Sequence, residues 1–160
     1  MSLIFVDVEA EGAAPTVGVM TEFGAVEYDT RKTFHGVLWE TTPDPQNPAL
    51  SIRTGKQYNA VTVFTEFEQW LLSFKGQPIF ISDNVAYDFM WICCGFWATL
   101  GRCPFGHSGR RISDFYAGLT GDFYNTQSWK RLRITPHTHN PVCDATGNAE
   151  AFERMMAGER

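Results

Sequence analysis

The start of the chain restricts the fold more than any other part of the sequence. Residues 3–8 read LIFVDV, a run of apolar and β-branched residues that predicts a buried strand. Asp7 and Glu9 lie two positions apart, and side chains alternate across a strand, so both carboxylates share one face. Two like charges side by side are unfavourable unless a cation lies between them. The simpler alternative is a surface strand with a solvated polar face, because acidic residues are mostly exposed.

The order of the remaining patterns predicts a mixed sheet. Residues 20–28 and 33–39 are β-rich runs separated by turn-forming residues, which predicts an antiparallel meander with the first strand. Residues 40–60 contain three prolines and little periodicity, so we expect a long surface connection. The rest of the chain predicts a helix at 61–74, a buried strand at 78–82, a helix at 87–101, a strand-like piece at 111–114 followed by one helical turn, and a helix at 144–157. The predicted class is α/β, a mixed sheet covered by helices.

The composition fits one domain over residues 1–160, because 44% of the residues are hydrophobic and can form a core. The formal net charge of −5 argues against a broad basic surface for long nucleic acid, but it allows a small site that grips a short end. Four cysteines have neither the density of a disulfide scaffold nor zinc-ribbon spacing, so we expect reduced thiols in a cytoplasmic protein. Neither a secretion signal nor a membrane span is indicated.

Two more acids occupy positions where a charge is unfavourable. Asp88 opens a predicted helix whose next residues are almost wholly apolar, and Asp144 starts the last predicted helix. His139 precedes Asp144 by five positions, in a loop that contains Pro141. Taken singly, Asp88 is explained by the helix dipole and Asp144 by an N-cap.

The four acids are better explained together than singly. Each borders an apolar segment, and without a partner the acids would repel one another. Hard divalent cations resolve this conflict, because Mg²⁺ or Mn²⁺ takes carboxylate oxygens, keeps waters and is completed by substrate phosphates. Four carboxylates suffice for two ions about 3.5–4 Å apart, an arrangement used for phosphoryl displacement. The pattern therefore indicates a two-metal site, with a histidine nearby to act as base.

Three sequence blocks together resemble the DEDDh 3′–5′ exonucleases. They are the DxE of FVDVEAEG, the Asn-xxx-Asp of NVAYD at 84–88 and the His-xxxx-Asp of HNPVCD at 139–144. Their order and spacing agree with the family, and the resemblance covers nearly the whole chain. This superfamily includes proofreading subunits of DNA polymerases, ribonuclease T and oligoribonuclease. The resemblance implies a ribonuclease H-like fold here.

The resemblance also implies roles for individual residues. His139 would be the general base, although His137 competes for that role from the same loop. Two Mg²⁺ or Mn²⁺ ions would be held by the four acids Asp7, Glu9, Asp88 and Asp144. The implied reaction is hydrolysis of phosphodiester bonds from the 3′ ends of single-stranded nucleic acid, with release of nucleoside 5′-monophosphates. RNA or short oligonucleotides are the favoured substrates.

Four further residues are predicted to contact substrate: Ala10, Asn84, Lys130 and Arg131. Ala10 would act through its backbone, whereas a buried structural hydrogen bond is the favoured role of Asn84. Lys130 and Arg131 belong, together with Arg133, to a basic cluster that either lines a phosphate path or forms a solvated turn. Other acids are expected to be surface or loop groups: Asp83, Asp114, Asp122 and Glu11. Glu11 also marks a departure from the family, because relatives often carry a hydroxyl residue and a glycine soon after the DxE, and this predicts an unusual 3′-end pocket.

Two alternative functions stay open at this point. One is a DNA proofreading or repair exonuclease that works with a larger partner. The other is a nucleic-acid-binding relative without activity, or an iron or zinc protein that uses His137, His139 and Asp144. The presence of all five expected site residues counts against loss of activity. The resemblance to ribonuclease T and oligoribonuclease also implies a homodimer.

Overall fold

A computed structural model describes residues 1–47 and 51–160. Its elements in chain order are β1 (Ser2–Glu11), β2 (Val19–Glu27), β3 (Thr33–Val37), β4 (Trp39–Pro43), β5 (Ser51–Gln57), α1 (Ala60–Leu72), β6 (Pro78–Ser82), α2 (Val85–Leu100), β7 (Gly109–Arg111), α3 (Ile112–Thr120), a 3₁₀ helix (Ser128–Leu132) and α4 (Pro141–Met156). No helix among the described residues is long and apolar enough to cross a membrane.

Five strands form the main sheet in the order β3-β2-β1-β6-β7, with β1 at its centre. β1 pairs antiparallel with β2, where Asp7 lies opposite Gly24, and β2 pairs antiparallel with β3. β1 and β6 are parallel, as are β6 and β7. The predicted mixed sheet, an antiparallel meander continued by parallel strands, is therefore confirmed.

Helices cover both faces of this sheet. Ile4 and Val6 of β1 lie in an apolar cluster with side chains of α1 and α2, whereas Phe5 lies in a second cluster with α3, α4 and the 3₁₀ helix. All three side chains are completely buried. Asp7 and Glu9 share the face of Phe5, so the strand presents them on the side covered by α4. Burial on both faces fixes β1 in place.

Two segments are more regular than the sequence predicts. β4 and β5 pair antiparallel inside the segment 40–60 that was predicted to be a long connection, and residues 48–50 of that prediction lie outside the described residues. Pro43 stands at the last position of β4, where a missing N–H does little harm. In residues 102–128, β7 begins two residues before the strand-like piece predicted at 111–114, and the nine-residue α3 replaces the predicted single helical turn. The buried Ile112 and Tyr116 of α3 are four positions apart, which is helical spacing over too short a stretch to recognise.

Two helices begin before their predicted starts. α2 begins at Val85 instead of residue 87, and α4 begins at Pro141 instead of residue 144. The N-cap of α4 is Asn140, whose side-chain oxygen accepts hydrogen bonds from the N–H groups of Val142 and Cys143. The alternative that Asp144 is an N-cap is therefore wrong. Because Asn140 caps the helix, the carboxylate of Asp144 is available for another role.

Candidate active site

Three acidic side chains from two elements meet beside the central strand. Asp7 and Glu9 come from β1, and Asp144 comes from the first turn of α4. Each offers a carboxylate oxygen, and within the described part of the chain these oxygens lie within 4.8 Å of one another. An all-oxygen donor set of this kind suits a hard divalent cation. This three-acid cluster, Asp7, Glu9 and Asp144, is the candidate metal site.

Gly24 of β2 allows α4 to approach the sheet. A Cβ atom at this position would lie 2.3 Å from the carbonyl carbon of Pro141 and 2.3 Å from the backbone nitrogen of Val142. A larger residue would push the start of α4, and with it Asp144, away from Asp7. Sequence reasoning missed this positioning residue, since a single glycine inside a β-rich run was its only signal.

The loop before α4 folds around the carboxylate of Asp144, whose side chain has no exposed surface. The backbone N–H of Thr138 donates to Oδ1 at 2.9 Å, and the N–H of His139 donates to Oδ2 at 3.0 Å. The Nδ1 atom of His137 lies 2.7 Å from the same Oδ2. Asp144 therefore fixes the loop that carries both histidines.

The two histidines lie side by side at the edge of the three-acid cluster. His139 has a left-handed backbone with φ of 57°, which is uncommon for a residue other than glycine. Its ring centroid is 4.5 Å from that of His137, and its Nδ1 lies 3.7 Å from Oε1 of Glu9. The side chain of His139 is 40% exposed, so solvent and substrate can reach it. His139 thus faces Glu9, whereas His137 contacts Asp144.

Asp88 approaches β1 from the layer of α1 and α2. It is 4% exposed, and its Oδ1 accepts a hydrogen bond of 3.2 Å from the backbone N–H of Val8. Asp88 stands outside the three-acid cluster but close enough for its charge to raise the pKa of Asp7. The structure therefore brings three of the four predicted ligands together and places the fourth within hydrogen-bond distance of the backbone of β1.

Burial makes the acids resist ionisation. Desolvation raises the pKa of Asp7 well above its ordinary value, and the charges of Asp88, Asp144 and Glu9 raise it further. Desolvation also raises the pKa of Glu9 to about 7, with Asp144 contributing, and raises that of Asp88 to about 7. At neutral pH the site must therefore take up protons or a cation. The donor set and its unfavourable charge both fit a divalent metal.

Comparisons with known proteins give a consistent result, although no family model matches the chain. The 3′–5′ DNA exonuclease Cap18 of Escherichia coli is 26% identical over 171 aligned residues, which cover 93% of this chain and 88% of that protein. Among solved structures, the fold is similar to the nuclease domain of 3′hExo, a DEDDh family member bound to rAMP, with a TM-score of 0.69 at 14% identity. The match covers 98% of this chain and 91% of the 3′hExo chain. The zinc-bound E. coli ExoI–ssDNA complex has a TM-score of 0.59 at 14% identity, covering 97% of this chain and 39% of its own.

The three sequence blocks and the fold both resemble those of the DEDDh 3′–5′ exonucleases. The mixed sheet is the ribonuclease H-like fold that the three sequence blocks predicted. The five positions of the DEDDh pattern lie on β1, at the start of α2, and in or just before α4.

A groove of about 350 Å³ leads away from Asp7 along the basic segment before α4. Lys130 and Arg131, both predicted to contact substrate, line it together with Arg133. Lys130 forms an ion pair with Asp83 at 3.0 Å, and Arg131 donates to the carbonyl of Ser128 at 2.8 Å. The groove lies where a strand entering the DEDDh site could pass.

Glu11, just after the DxE, is partly exposed and has a partner of its own. Its carboxylate accepts hydrogen bonds from the backbone N–H of Arg53 at 3.0 Å and from Nε of Arg53 at 2.8 Å. This contact ties β5 to the end of β1. Ala10 is partly buried, and its carbonyl accepts a 3.5 Å hydrogen bond from the hydroxyl of Tyr87. The carboxylate of Glu11 is therefore paired with Arg53, which agrees with the surface role expected for it.

Asn84 does not make the buried structural hydrogen bond that was favoured for it. The residue is exposed and stands at the N-cap position of α2, without a side-chain capping bond. Its backbone carbonyl accepts from the N–H of Asp88, so the backbone alone forms the turn into the helix. Because its side chain is exposed beside this DEDDh acid, a substrate contact is the role that stays a prediction for Asn84.

The remaining acids have partners of their own. Asp83 accepts a hydrogen bond from Ser113 at 3.0 Å in addition to its ion pair with Lys130. Asp114 is paired with Arg111 at 3.3 Å. Asp122 accepts from a backbone N–H in its own turn. These contacts agree with the predicted surface and loop roles.

Proposed function

We propose that this protein is a divalent-metal-dependent exonuclease that removes nucleotides one at a time from the 3′ end of single-stranded nucleic acid and releases nucleoside 5′-monophosphates. The observation that carries the proposal is the three-acid cluster, whose oxygens lie within 4.8 Å of one another beside two histidines. We assign this activity to a single domain over residues 1–160.

The metal ligands in this proposal are the four acids of the pattern. Mg²⁺ or Mn²⁺, two ions in total, would be held by Asp7, Glu9, Asp88 and Asp144. When bound, the metal supplies positive charge that neutralises the reacting phosphate and lowers the pKa of water. The hydrogen bonds from the loop before α4 keep Asp144 oriented for this task. The hydrogen bond of 3.2 Å from the N–H of Val8 does the same for Asp88.

His139 is the general base in this proposal. Its Nδ1 faces Glu9 at 3.7 Å, so Nε2 is the atom that accepts the proton of the attacking water. The water oxygen bonds to phosphorus while the bond from phosphorus to the 3′-oxygen breaks, and the leaving 3′-oxygen takes a proton from solvent. His137, held against Asp144 at 2.7 Å, orients the loop.

DNA is the substrate that the relatives favour. The curated protein that is 26% identical over 93% of this chain is named as a DNA exonuclease. RNA, the substrate favoured from sequence, is the second candidate, supported by the 3′hExo fold neighbour that was solved with rAMP. A homodimer and a cytoplasmic location remain predictions of the sequence.

The test is digestion of 5′-labelled single strands of identical sequence, one DNA and one RNA, in Mg²⁺ or Mn²⁺. We expect products that shorten one nucleotide at a time, and a DNA rate above the RNA rate. Asp7→Asn should abolish the ladder, whereas the matched control Glu11→Gln, four positions further along β1, should retain it because Glu11 pairs with Arg53. A folded protein that shortens neither strand would refute the activity, and faster RNA digestion would reverse the order of the two substrates.

A further inference from the structure

We propose that Arg133 binds a backbone phosphate of the nucleic-acid strand in the groove beside Asp7. The proposal rests on the exonuclease function proposed above and names a residue that neither the DEDDh pattern nor the predicted substrate contacts include. Arg133 lies six positions before His139, and it lines the groove together with Asp7 and His137.

The side chain of Arg133 is held in place before any ligand arrives. Its Nη2 donates to Oδ1 of Asn148 on α4, and its guanidinium carbon lies 5.0 Å from the ring centroid of the completely buried Trp129. Gly147 leaves room for it, because a Cβ there would lie 3.3 Å from Cδ of Arg133. An arginine fixed in this way loses little conformational entropy when it binds an anion.

The positive charge of Arg133 has no carboxylate partner in the described part of the chain. Its Nε is buried without a hydrogen-bond partner, and the ion pairs of residues 1–47 and 51–160 do not include it. Lys130, by contrast, is paired with Asp83 at 3.0 Å. A partly buried guanidinium with no carboxylate within ion-pair distance favours an incoming anion.

The position of Arg133 selects a phosphate close to the metal site. Its charge is near enough to lower the pKa of Asp7, against the effect of the surrounding acids. The reacting phosphate itself belongs at the acids, so the neighbouring phosphate along the groove is the one for Arg133. Such a contact strengthens binding of the strand in the ground state and leaves the chemical step largely unchanged.

The test measures binding and catalysis separately. Binding is followed by fluorescence anisotropy of a short 5′-labelled single strand whose 3′ linkages are phosphorothioates, in Ca²⁺, across a salt series. We expect Arg133→Ala to weaken binding about 10-fold and to reduce the salt slope by about 0.7. On a cleavable strand the same change should raise KM and change kcat by less than about 3-fold. Arg133→Lys should keep the salt slope but weaken binding, since lysine retains the charge without the fork.

Arg154→Ala is the matched control. Arg154 lies on α4 and donates to the carbonyl of Leu132, beside Arg133 in the chain, so its loss loosens the same segment without removing charge from the groove. We expect it to change binding less than about 2-fold. If Arg133→Ala and Arg154→Ala weaken binding equally and leave the salt slope unchanged, Arg133 is only structural. If the unaltered protein neither binds nor shortens the strand, the exonuclease function itself is wrong.

A second, independent observation concerns two thiols, one in α2 and one just after its end. We infer that Cys93 and Cys103 form a disulfide when the protein meets a peroxide. Their Sγ atoms lie 3.2 Å apart, with Cys93 inside α2 and Cys103 shortly after its end. The hydrogen bond from Cys93, together with those from the N–H groups of Phe105 and Gly106, lowers the pKa of Cys103 to about 7. Cys103 also lines a surface cavity, so a small oxidant can reach it.

The chemistry of this step balances with hydrogen peroxide as oxidant. The thiolate of Cys103 attacks one peroxide oxygen, the O–O bond breaks, and a sulfenic acid and one water result after proton transfer. The thiol of Cys93 then attacks that sulfur, the S–O bond breaks and a second water leaves. The two thiols lose two electrons, and the peroxide gains them.

Thiol counting and non-reducing peptide mapping test this inference. After peroxide treatment we expect the loss of two of the four thiols, a Cys93–Cys103 cross-linked peptide and full reversal by dithiothreitol. Cys93→Ser should prevent the cross-link, whereas Cys94→Ser should preserve it, because Cys94 is exposed on the adjacent helix position. A cross-link through Cys94, or a sulfinic acid on Cys103 with Cys93 still reduced, would overturn the assignment.

Discussion

Replacing Asp88 by asparagine should stabilise the metal-free protein while it damages the metal site. The structure buries this carboxyl to 4% exposure, and burial raises its pKa from 3.8 to about 7. An acid with a raised pKa in the folded state destabilises that state when it ionises. This loss of stability is absent below pH 3.8, grows as the pH rises towards 7 and is constant above pH 7.

The magnitude follows from the two pKa values. Each unit between the unfolded and the folded pKa corresponds to about 1.4 kcal/mol, so at pH 8 the ionised Asp88 reduces the free energy of unfolding by about 4 kcal/mol. Asparagine removes the charge and keeps an oxygen that can accept from the N–H of Val8. Its buried NH₂ group needs a new partner, which costs about 1–3 kcal/mol. The net gain is about 1–3 kcal/mol, or roughly 2–10 °C in Tm for a chain of this size.

Thermal unfolding in EDTA at pH 4 and pH 8 measures this effect. The Asp88→Asn variant should melt above the unaltered protein at pH 8, and the advantage should vanish or reverse at pH 4. The matched control is Asp29→Asn, which alters an exposed turn residue and should change stability by no more than about 0.5 kcal/mol. A lower Tm for Asp88→Asn at pH 8 would mean that the Val8 hydrogen bond stabilises the carboxylate more than burial destabilises it. The reasoning would then be refuted.

Three other predictions follow from the same site. Gly24→Ala should lower Tm and reduce exonuclease activity at least about 10-fold, because the new Cβ would displace α4. Gly118→Ala, at a position on α3 with open space around it, should instead raise the free energy of unfolding by about 0.5–1 kcal/mol. Melting curves and digestion rates of both variants check this. His139→Ala should lower kcat about 10²–10⁴-fold with metal-induced stabilisation retained, and a larger loss for His137→Ala would transfer the base role to His137. Mn²⁺ should raise Tm more at pH 8 than at pH 5, because the carboxyls of Glu9 and Asp88, with pKa values of about 7, must lose their protons before they bind metal. Equal shifts of Tm at the two pH values, measured by calorimetry, would contradict this.

The parts of the fold that were predictable from sequence are those whose signal is local. β1 and β6 are short apolar runs, and α1 repeats apolar residues at helical spacing, so each pattern is contained in its own element. The acids were recognisable for a related reason, because each interrupts an apolar segment. Their chain order then supplied the family resemblance.

The parts that were missed depend on contacts between distant residues. Gly24 matters only because Pro141 packs against it, and no local pattern in β2 records that neighbour. β5 is largely exposed, and Glu11 helps to hold it through Arg53, a pairing across 42 positions that periodicity cannot show. Arg133 looked like its neighbours in a basic cluster until the structure showed that Lys130 has a counter-ion and Arg133 has none.

The location of the acids explains why protons and metal compete at this site. Ile4 and Phe5 fix β1 from opposite faces, so Asp7 cannot relieve repulsion by moving away. Asp144 is fixed as well, because the backbone donates two hydrogen bonds to its carboxylate. Charge repulsion between groups that cannot move apart is relieved only by neutralisation, either by protons or by a cation. In the proposed function a substrate phosphate adds further negative charge, so the rigidity that holds the acids together also makes binding of the strand depend on the metal.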